Sequence, residues 1–366
     1  MKVLYDYEIF LIQKYGGATR YFYEIISRLV EKSELDIILY MGHHINKYEL
    51  EKFKDKYLKF SGKRIRHIPK TKLLSKKLQK PLFESFRKKT DYDIFHHTYF
   101  ADYKKKKRTK DIITVHDFTH EKFSSNFSGL DKTIKAKEKA IKNADGIICV
   151  SNTTKNDLLN LYNFPEEKIR VIYHGNSLNY EVKEKAFFEK PYLLYVGDRR
   201  AYKNFNFVLS AFKNSDFIKN NFCLLCFGGG YFKEKEKTVI SEYGLKDKVF
   251  QTEGSDKELA NAYKYASAFI YPSFYEGFGI PLLEAMHYGC PIVASDSSCF
   301  PEVAGEAAMY FNPENVDDLI LKIDNVINNN EIRNRLIKNG YEREKEFSWS
   351  KCAESTLEFY KRIKEL

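Results

Sequence analysis

The stretch Ser273-Phe274-Tyr275-Glu276-Gly277-Phe278-Gly279-Ile280-Pro281-Leu282-Leu283-Glu284-Ala285-Met286 decides the fold of this chain. An apolar run from Ala268 to Tyr271 precedes it and stops at Pro272; a loop with two glycines follows, and apolar residues then continue to Tyr288. Pro281 suits the first helical turn, where a missing N–H costs no hydrogen bond. The pattern predicts a strand, a glycine loop and a helix whose N-terminus points back at the loop. Such a terminus presents orphan N–H groups and the positive end of the helix dipole, so it suits a phosphate. Glu276 falls in the loop and Glu284 in the first helical turn, where carboxylates can accept hydrogen bonds from sugar or ribose hydroxyls. An isolated pair of glutamates at this spacing would read as a solvated turn.

The pattern continues. Gly289-Cys290-Pro291-Ile292-Val293-Ala294 and Pro301-Glu302-Val303 follow in order, so the ordered matches span roughly forty positions, far beyond a short motif. The whole run FYEGFGIPLLEAMHYGCPIVASDSSCFPEVAGEAAMYFNP resembles the nucleotide-sugar site of family 4 retaining glycosyltransferases of the GT-B fold, in the manner of bacterial polysaccharide enzymes. The resemblance implies two Rossmann-like α/β domains facing a cleft: an acceptor-binding domain over 1–180, a nucleotide-sugar-binding domain over 181–345, and a final helix over 346–366 packed on the first domain. It implies that backbone at Gly277, Phe278, Gly279, Ile280 and Leu282 meets the donor, that Glu276 positions its sugar, and that Glu284 holds the ribose.

Upstream, Tyr192 to Gly197 reads as a strand that leads into Asp198-Arg199-Arg200-Ala201-Tyr202-Lys203-Asn204 and a helix from Phe205 to Phe212. The family carries an Arg and a Lys here against the donor diphosphate. Arg199 and Lys203 are the matches, with Arg200 a competing arginine. A basic turn is the plain alternative. Thr252 and Gly254, in Val249 to Leu259, resemble the segment that borders the base. Gly228-Gly229-Gly230 lacks the Gly-Lys-Ser/Thr ending of a phosphate-hydrolysing loop.

The N-terminal half repeats the strand-helix alternation. Lys2 to Tyr7 predicts a first strand, Gly16-Gly17 a loop whose backbone can approach a diphosphate, and Tyr21 to Glu31 a helix with Phe22, Ile25, Ile26 and Leu29 on one face. Leu35–Tyr40 and Ile65–Ile68 predict the second and third strands. Asp91-Tyr92-Asp93 has the form of a metal-binding Asp-x-Asp, but it precedes its strand, so no metal is expected. Asp111 to Val115 predicts a buried strand delivering His116 and Asp117 to its C-terminal end, where parallel sheets place ligand contacts. By resemblance, His116 binds donor hydroxyls near the reacting centre, with His120 a weaker neighbour. Residues 177–190, without apolar periodicity, read as the linker.

Bulk properties bound the rest. With 366 residues the chain suits two domains. A hydrophobic share of 43% and an aromatic share of 16% supply cores and exclude a disordered chain. Charged residues near the N-terminus leave no signal-peptide core, which points to a cytoplasmic protein. Cys223 and Cys226 lie inside an apolar run and read as buried strand residues rather than a metal or redox pair. Between Glu51 and Lys110 there are 21 Lys/Arg against 6 Asp/Glu, more than the whole net charge of +11. That concentration predicts an anionic partner: the inner face of a membrane, reached peripherally, ahead of nucleic acid. A solvated lysine-rich surface is the simpler explanation.

The expected activity is transfer of a hexose, GDP-mannose being favoured over UDP-hexoses as donor, to a glycan or lipid-linked acceptor in cell-surface polysaccharide synthesis. No cofactor beyond the nucleotide-sugar co-substrate is expected. The alternatives are another GT-B enzyme, such as a sugar-nucleotide epimerase, and a nucleic-acid-binding protein using the basic segment, which lacks a recognised nucleic-acid motif.

Overall fold

The computed structural model describes residues 1–65, 72–101, 103–124, 131–182, 186 and 188–366. They form two compact units, Met1–His174 with Ser348–Leu366, and Gly175–Phe347. The division therefore falls at His174, six residues before the expected boundary, and the final helix belongs to the first unit. Part of the segment expected to be a linker, at 183–185 and 187, lies outside the described residues.

In the first unit, β1 (Lys2–Tyr5), β2 (Asp36–His44), β3 (Lys59–Arg64), β4 (Ile94–His97), β5 (Lys110–Val115), β6 (Gly146–Cys149) and β7 (Ile169–Val171) form one sheet in the order β3-β2-β1-β4-β5-β6-β7. All neighbours run parallel. Strands β4 and β6 are buried along their whole length, as expected where helices cover both faces of a parallel sheet. Strand β3 differs from its prediction. It lies at Lys59–Arg64 rather than 65–68, of which 66–68 are outside the described residues. Its sequence, Lys-Phe-Ser-Gly-Lys-Arg, is half exposed; charged residues on an edge strand discourage pairing with another sheet.

The second unit repeats the plan with β8 (Tyr192–Val196), β9 (Cys223–Phe227), β10 (Val249–Thr252), β11 (Ala268–Tyr271), β12 (Ile292–Ser295) and β13 (Ala308–Phe311), in the order β10-β9-β8-β11-β12-β13. These pairs too are parallel. Its core joins Leu193, Leu224, Ile270 and Val293 of the strands to Phe205, Val208 and Phe212 of the helix Phe205–Asn214. In each unit the chain steps outward from a central strand in one direction and then resumes on that strand's other side. The strand order thus reverses between β1 and β4, and between β8 and β11, and ligands of open parallel sheets bind at the carboxyl ends of strands beside such a reversal.

The helix Trp349–Glu365 is fastened to the first sheet by a buried chain of hydrogen bonds. The Tyr5 hydroxyl meets that of Tyr360 at 2.7 Å, Tyr360 meets His96 Nδ1 at 2.5 Å, and His96 Nε2 meets Thr114 at 2.9 Å, which meets Tyr21 at 3.1 Å. Helix Gly17–Leu29 packs alongside and turns Tyr21, Phe22, Ile25, Ile26 and Leu29 inward.

Candidate nucleotide-sugar site

In the second unit, the loops after β8 and β11 meet at the strand reversal. Lys203 Nζ lies 2.6 Å from Glu276 Oε1, both side chains being only 15–16% exposed. The Phe274 amide donates to the Tyr202 carbonyl at 2.9 Å, so the two loops are joined through their backbones as well. Burial opposes a charge on Lys203, but the adjacent Glu276 carboxylate outweighs it and holds the amine above the usual lysine range. Lys203 therefore keeps its positive charge at neutral pH.

Serines hold this corner, and sequence reasoning passed over all of them. Ser273 Oγ donates to Glu276 Oε1 at 2.9 Å, and Ser295, the last residue of β12, donates to the Ser273 carbonyl at 2.6 Å. Ser298 bonds the Glu276 main chain at two points. The only sequence signal was small polar residues immediately after an apolar strand.

The glycine loop ends at Gly279, which has a left-handed φ of +88° and caps the helix Ile280–His287. Pro281 sits in the first turn, as predicted. Glu284 lies one turn deeper than expected, since no acidic residue occupies the first turn. It is 5% exposed and accepts a hydrogen bond from the Tyr263 hydroxyl at 3.0 Å. Pro281 has no N–H, and the Leu282 N–H donates to the Gly279 carbonyl at 2.9 Å. Within Gly279–Leu282, the amides to consider for an anion are those of Gly279 and Ile280. Gly277 and Phe278 lie in the same loop, with Phe278 buried against Phe347.

Arg199 has a different set of partners from the expected one. Its side chain is 2% exposed and paired with Glu236 at 2.9 Å. It donates to the carbonyls of Gly228, Gly229, Gly230 and Tyr231 at 2.7–3.4 Å and lies over the Phe232 ring at 4.8 Å. It holds the glycine turn after β9. Gly229 there has φ +74°, and a Cβ on it would stand 2.5 Å from the Gly197 carbonyl, so this turn admits only glycine. Arg200 is 55% exposed and lies 3.2 Å from Asp198. Thr252 ends edge strand β10, two strands from β8, and Gly254 lies in the loop after it; the Thr252 carbonyl accepts the Gly228 N–H at 2.8 Å.

In the first unit, Gly16 caps the helix Gly17–Leu29. The Gln13 side-chain oxygen accepts from the Thr19 amide at 3.3 Å and would stand 2.4 Å from a Cβ on Gly16, whereas a Cβ on Gly17 meets nothing within 4 Å. His116 follows β5 and packs edge-on to Tyr21, with centroids 5.2 Å apart. Burial pushes its pKa down to about 4, Asp117 offsetting only part, so the ring is neutral at pH 7. Its Nε2 is buried without a hydrogen-bond partner among the described residues. Lys137, unremarked in the sequence, donates to the Asp117 carbonyl at 3.0 Å and to Glu121 at 2.8 Å. Asp91 and Asp93 engage Lys2 and Lys364, and no group of three metal-ligating side chains occurs among the described residues.

Two Rossmann-like parallel-sheet units are the architecture of the GT-B fold. The chain belongs to the families described as glycosyltransferase family 4, matched over residues 15–179, and glycosyl transferases group 1, matched over 178–343. It is 28% identical over 240 residues to the O-antigen chain mannosyltransferase B of Escherichia coli, covering 62% of this chain and 63% of that protein. It is 33% identical over 211 residues to the O-antigen chain mannosyltransferase RfbU of Salmonella typhimurium, covering 55% and 56%. The matched stretches thus span less than two thirds of either relative. Among solved structures, the sucrose-phosphate synthase of Thermosynechococcus elongatus superposes with a TM-score of 0.78 at 20% identity, covering 99% of this chain and 98% of that one.

Proposed function

We propose that this glycosyltransferase moves a hexose, with mannose favoured, from a nucleotide-sugar donor to a glycan or lipid-linked acceptor in cell-surface polysaccharide synthesis, with retention at the anomeric carbon. The Lys203–Glu276 pair at the strand reversal carries this reading. On donor binding, Lys203 exchanges its carboxylate partner for the diphosphate, and Glu276 turns to the sugar hydroxyls. The Gly279 and Ile280 amides join Lys203 in stabilising the charge that develops on the leaving phosphate, so side chains and backbone supply the electrostatics without a metal. Glu284, buried and oriented by Tyr263, accepts from the ribose. The acceptor hydroxyl attacks on the face the phosphate leaves, and the phosphate takes its proton. Neutral His116 bonds substrate hydroxyls. Relatives named as mannosyltransferases support the choice of sugar.

The test is a thermal-shift and calorimetry panel of GDP, UDP, dTDP and their sugars on wild type and Glu284→Ala. One nucleotide binding tightly, and about tenfold more weakly in the variant, supports the reading. No response to any nucleotide overturns it.

The partner is proposed to include an anionic membrane surface. The helix Lys72–Lys88 exposes Leu78 and Leu82 to 61% and 57% among lysines, the composition of a helix that rests in a lipid interface. Lys80 of this helix, with Lys104, Lys105 and Lys139, also lines a pocket of about 520 Å³. Co-sedimentation with phosphatidylglycerol vesicles but not phosphatidylcholine vesicles, lost in Leu78→Glu/Leu82→Glu, is the expected result. Salt-sensitive retention on RNA with no vesicle binding would favour nucleic acid instead.

A further inference from the structure

Ser298 lies in the loop between β12 and the short helix Phe300–Ala304, and its φ of +58° places a non-glycine residue in the left-handed region. Such a backbone is strained for a residue with a side chain and persists where its surroundings over-determine it. What surrounds it is Glu276. The Ser298 hydroxyl donates to the Glu276 carbonyl at 2.6 Å and accepts from the Glu276 amide at 3.2 Å, so one oxygen uses both hydrogen-bonding senses on one residue. The neighbouring Cys299 thiol, fully buried, reaches the same carbonyl at 3.3 Å. The carboxylate end of Glu276 is held separately, by Ser273 and Lys203. Strand β12 pairs directly with β11, from Phe269 opposite Ile292 to Tyr271 opposite Ala294, so the loops leaving them stand side by side.

We propose that Ser298 is a positioning residue for the transfer reaction: by clamping both main-chain groups of Glu276 it fixes the Cα from which the carboxylate reaches the donor sugar. This rests on the reading of Glu276 as the sugar contact. The left-handed backbone brings the hydroxyl to its place. When Lys203 turns to the diphosphate, the side-chain hold on Glu276 loosens while the main-chain hold stays, so the carboxylate changes partner without its loop shifting. Displacements of about 1 Å near a reacting centre can cost on the order of a hundredfold in rate, which gives the clamp its importance.

Two substitutions separate the hydroxyl from the backbone. Ser298→Ala removes the hydroxyl and keeps the left-handed cost; Ser298→Gly removes the hydroxyl and relieves that cost. With the full chain, turnover of GDP-mannose and of UDP-glucose is measured alongside GDP and UDP affinity, thermal midpoint, and hydrogen exchange of peptides spanning 273–279. Both variants are expected to lose at least about tenfold in kcat on the donor that wild type turns over, to keep nucleotide affinity within about twofold, and to exchange the Glu276 amide faster, with Ser298→Gly near wild type in thermal midpoint. Wild-type kcat and exchange in Ser298→Gly would overturn the clamp. Glu276→Gln serves as the control. If it turns over donor like wild type, the donor-site reading fails; if it is impaired while both Ser298 variants are not, only the clamp fails.

Discussion

Two adjacent arginines after β8 show how differently neighbours in sequence can be used. Arg199 is bonded to Glu236 and four carbonyls, and removing it leaves the largely buried Glu236 carboxylate without this partner and unties the glycine turn, a loss on the order of 1–3 kcal/mol. Arg200, more than half exposed, carries no such burden. Arg199→Ala is expected to lower the thermal midpoint by several degrees, whereas Arg200→Ala leaves it within about a degree and weakens nucleoside diphosphate binding severalfold. Differential scanning fluorimetry with and without nucleotide checks both. The resemblance implied a cationic loop facing a diphosphate, but the sequence could not say which arginine the glycine turn would capture. That capture depends on Gly228–Tyr231, some thirty residues away. Ser298 was illegible for the same reason: a hydroxyl's role is set by what tertiary structure brings within 3 Å.

At the scale of elements, legibility followed hydrophobic contrast. The strand feeding the glycine loop, the capped helix with its early proline, and the helix Trp349–Glu365 were all predicted within a few residues, because each has a continuous apolar run or a regular apolar face. Strand β3 was misplaced because an edge strand rich in lysine has neither. The docking of the last helix was implied by resemblance, and the structure supplies its physics. Tyr360→Phe would leave His96 Nδ1 and the Tyr5 hydroxyl short of a partner in a fully buried network, a cost of about 1–3 kcal/mol. The variant is expected to unfold at lower denaturant with an unchanged slope, whereas truncation after Phe347 leaves the first unit's helix Gly17–Leu29 without its cover and abolishes cooperative folding.

For the molecule as a whole, buried titratable groups give stability a pH dependence with opposing signs. Asp6 is fully buried; that burial, reinforced by neighbouring Glu8, raises its carboxyl to about 6. The folded state thus binds its proton more readily than the unfolded chain, and this contribution is present at low pH and lost as pH rises from about 4 to 6. His116, lowered to about 4 by burial, acts in the opposite sense, costing stability as pH falls below 6.5. Asp6→Asn removes the first contribution alone. Its unfolding free energy is expected to rise more steeply than wild type's between pH 4 and 6, by an amount on the order of 3 kcal/mol; parallel curves in denaturant titrations would contradict this.

The chain contains one tryptophan, Trp349. It is 2% exposed, stacked on His174 at 5.2 Å, and sits wholly in the first unit, although it follows the second in sequence. Intrinsic indole emission therefore watches one unit while far-ultraviolet dichroism watches both. A gap between the two denaturation curves would resolve the units' separate melting without a label, and a nucleotide that moves only the dichroism curve would reveal which unit had bound it.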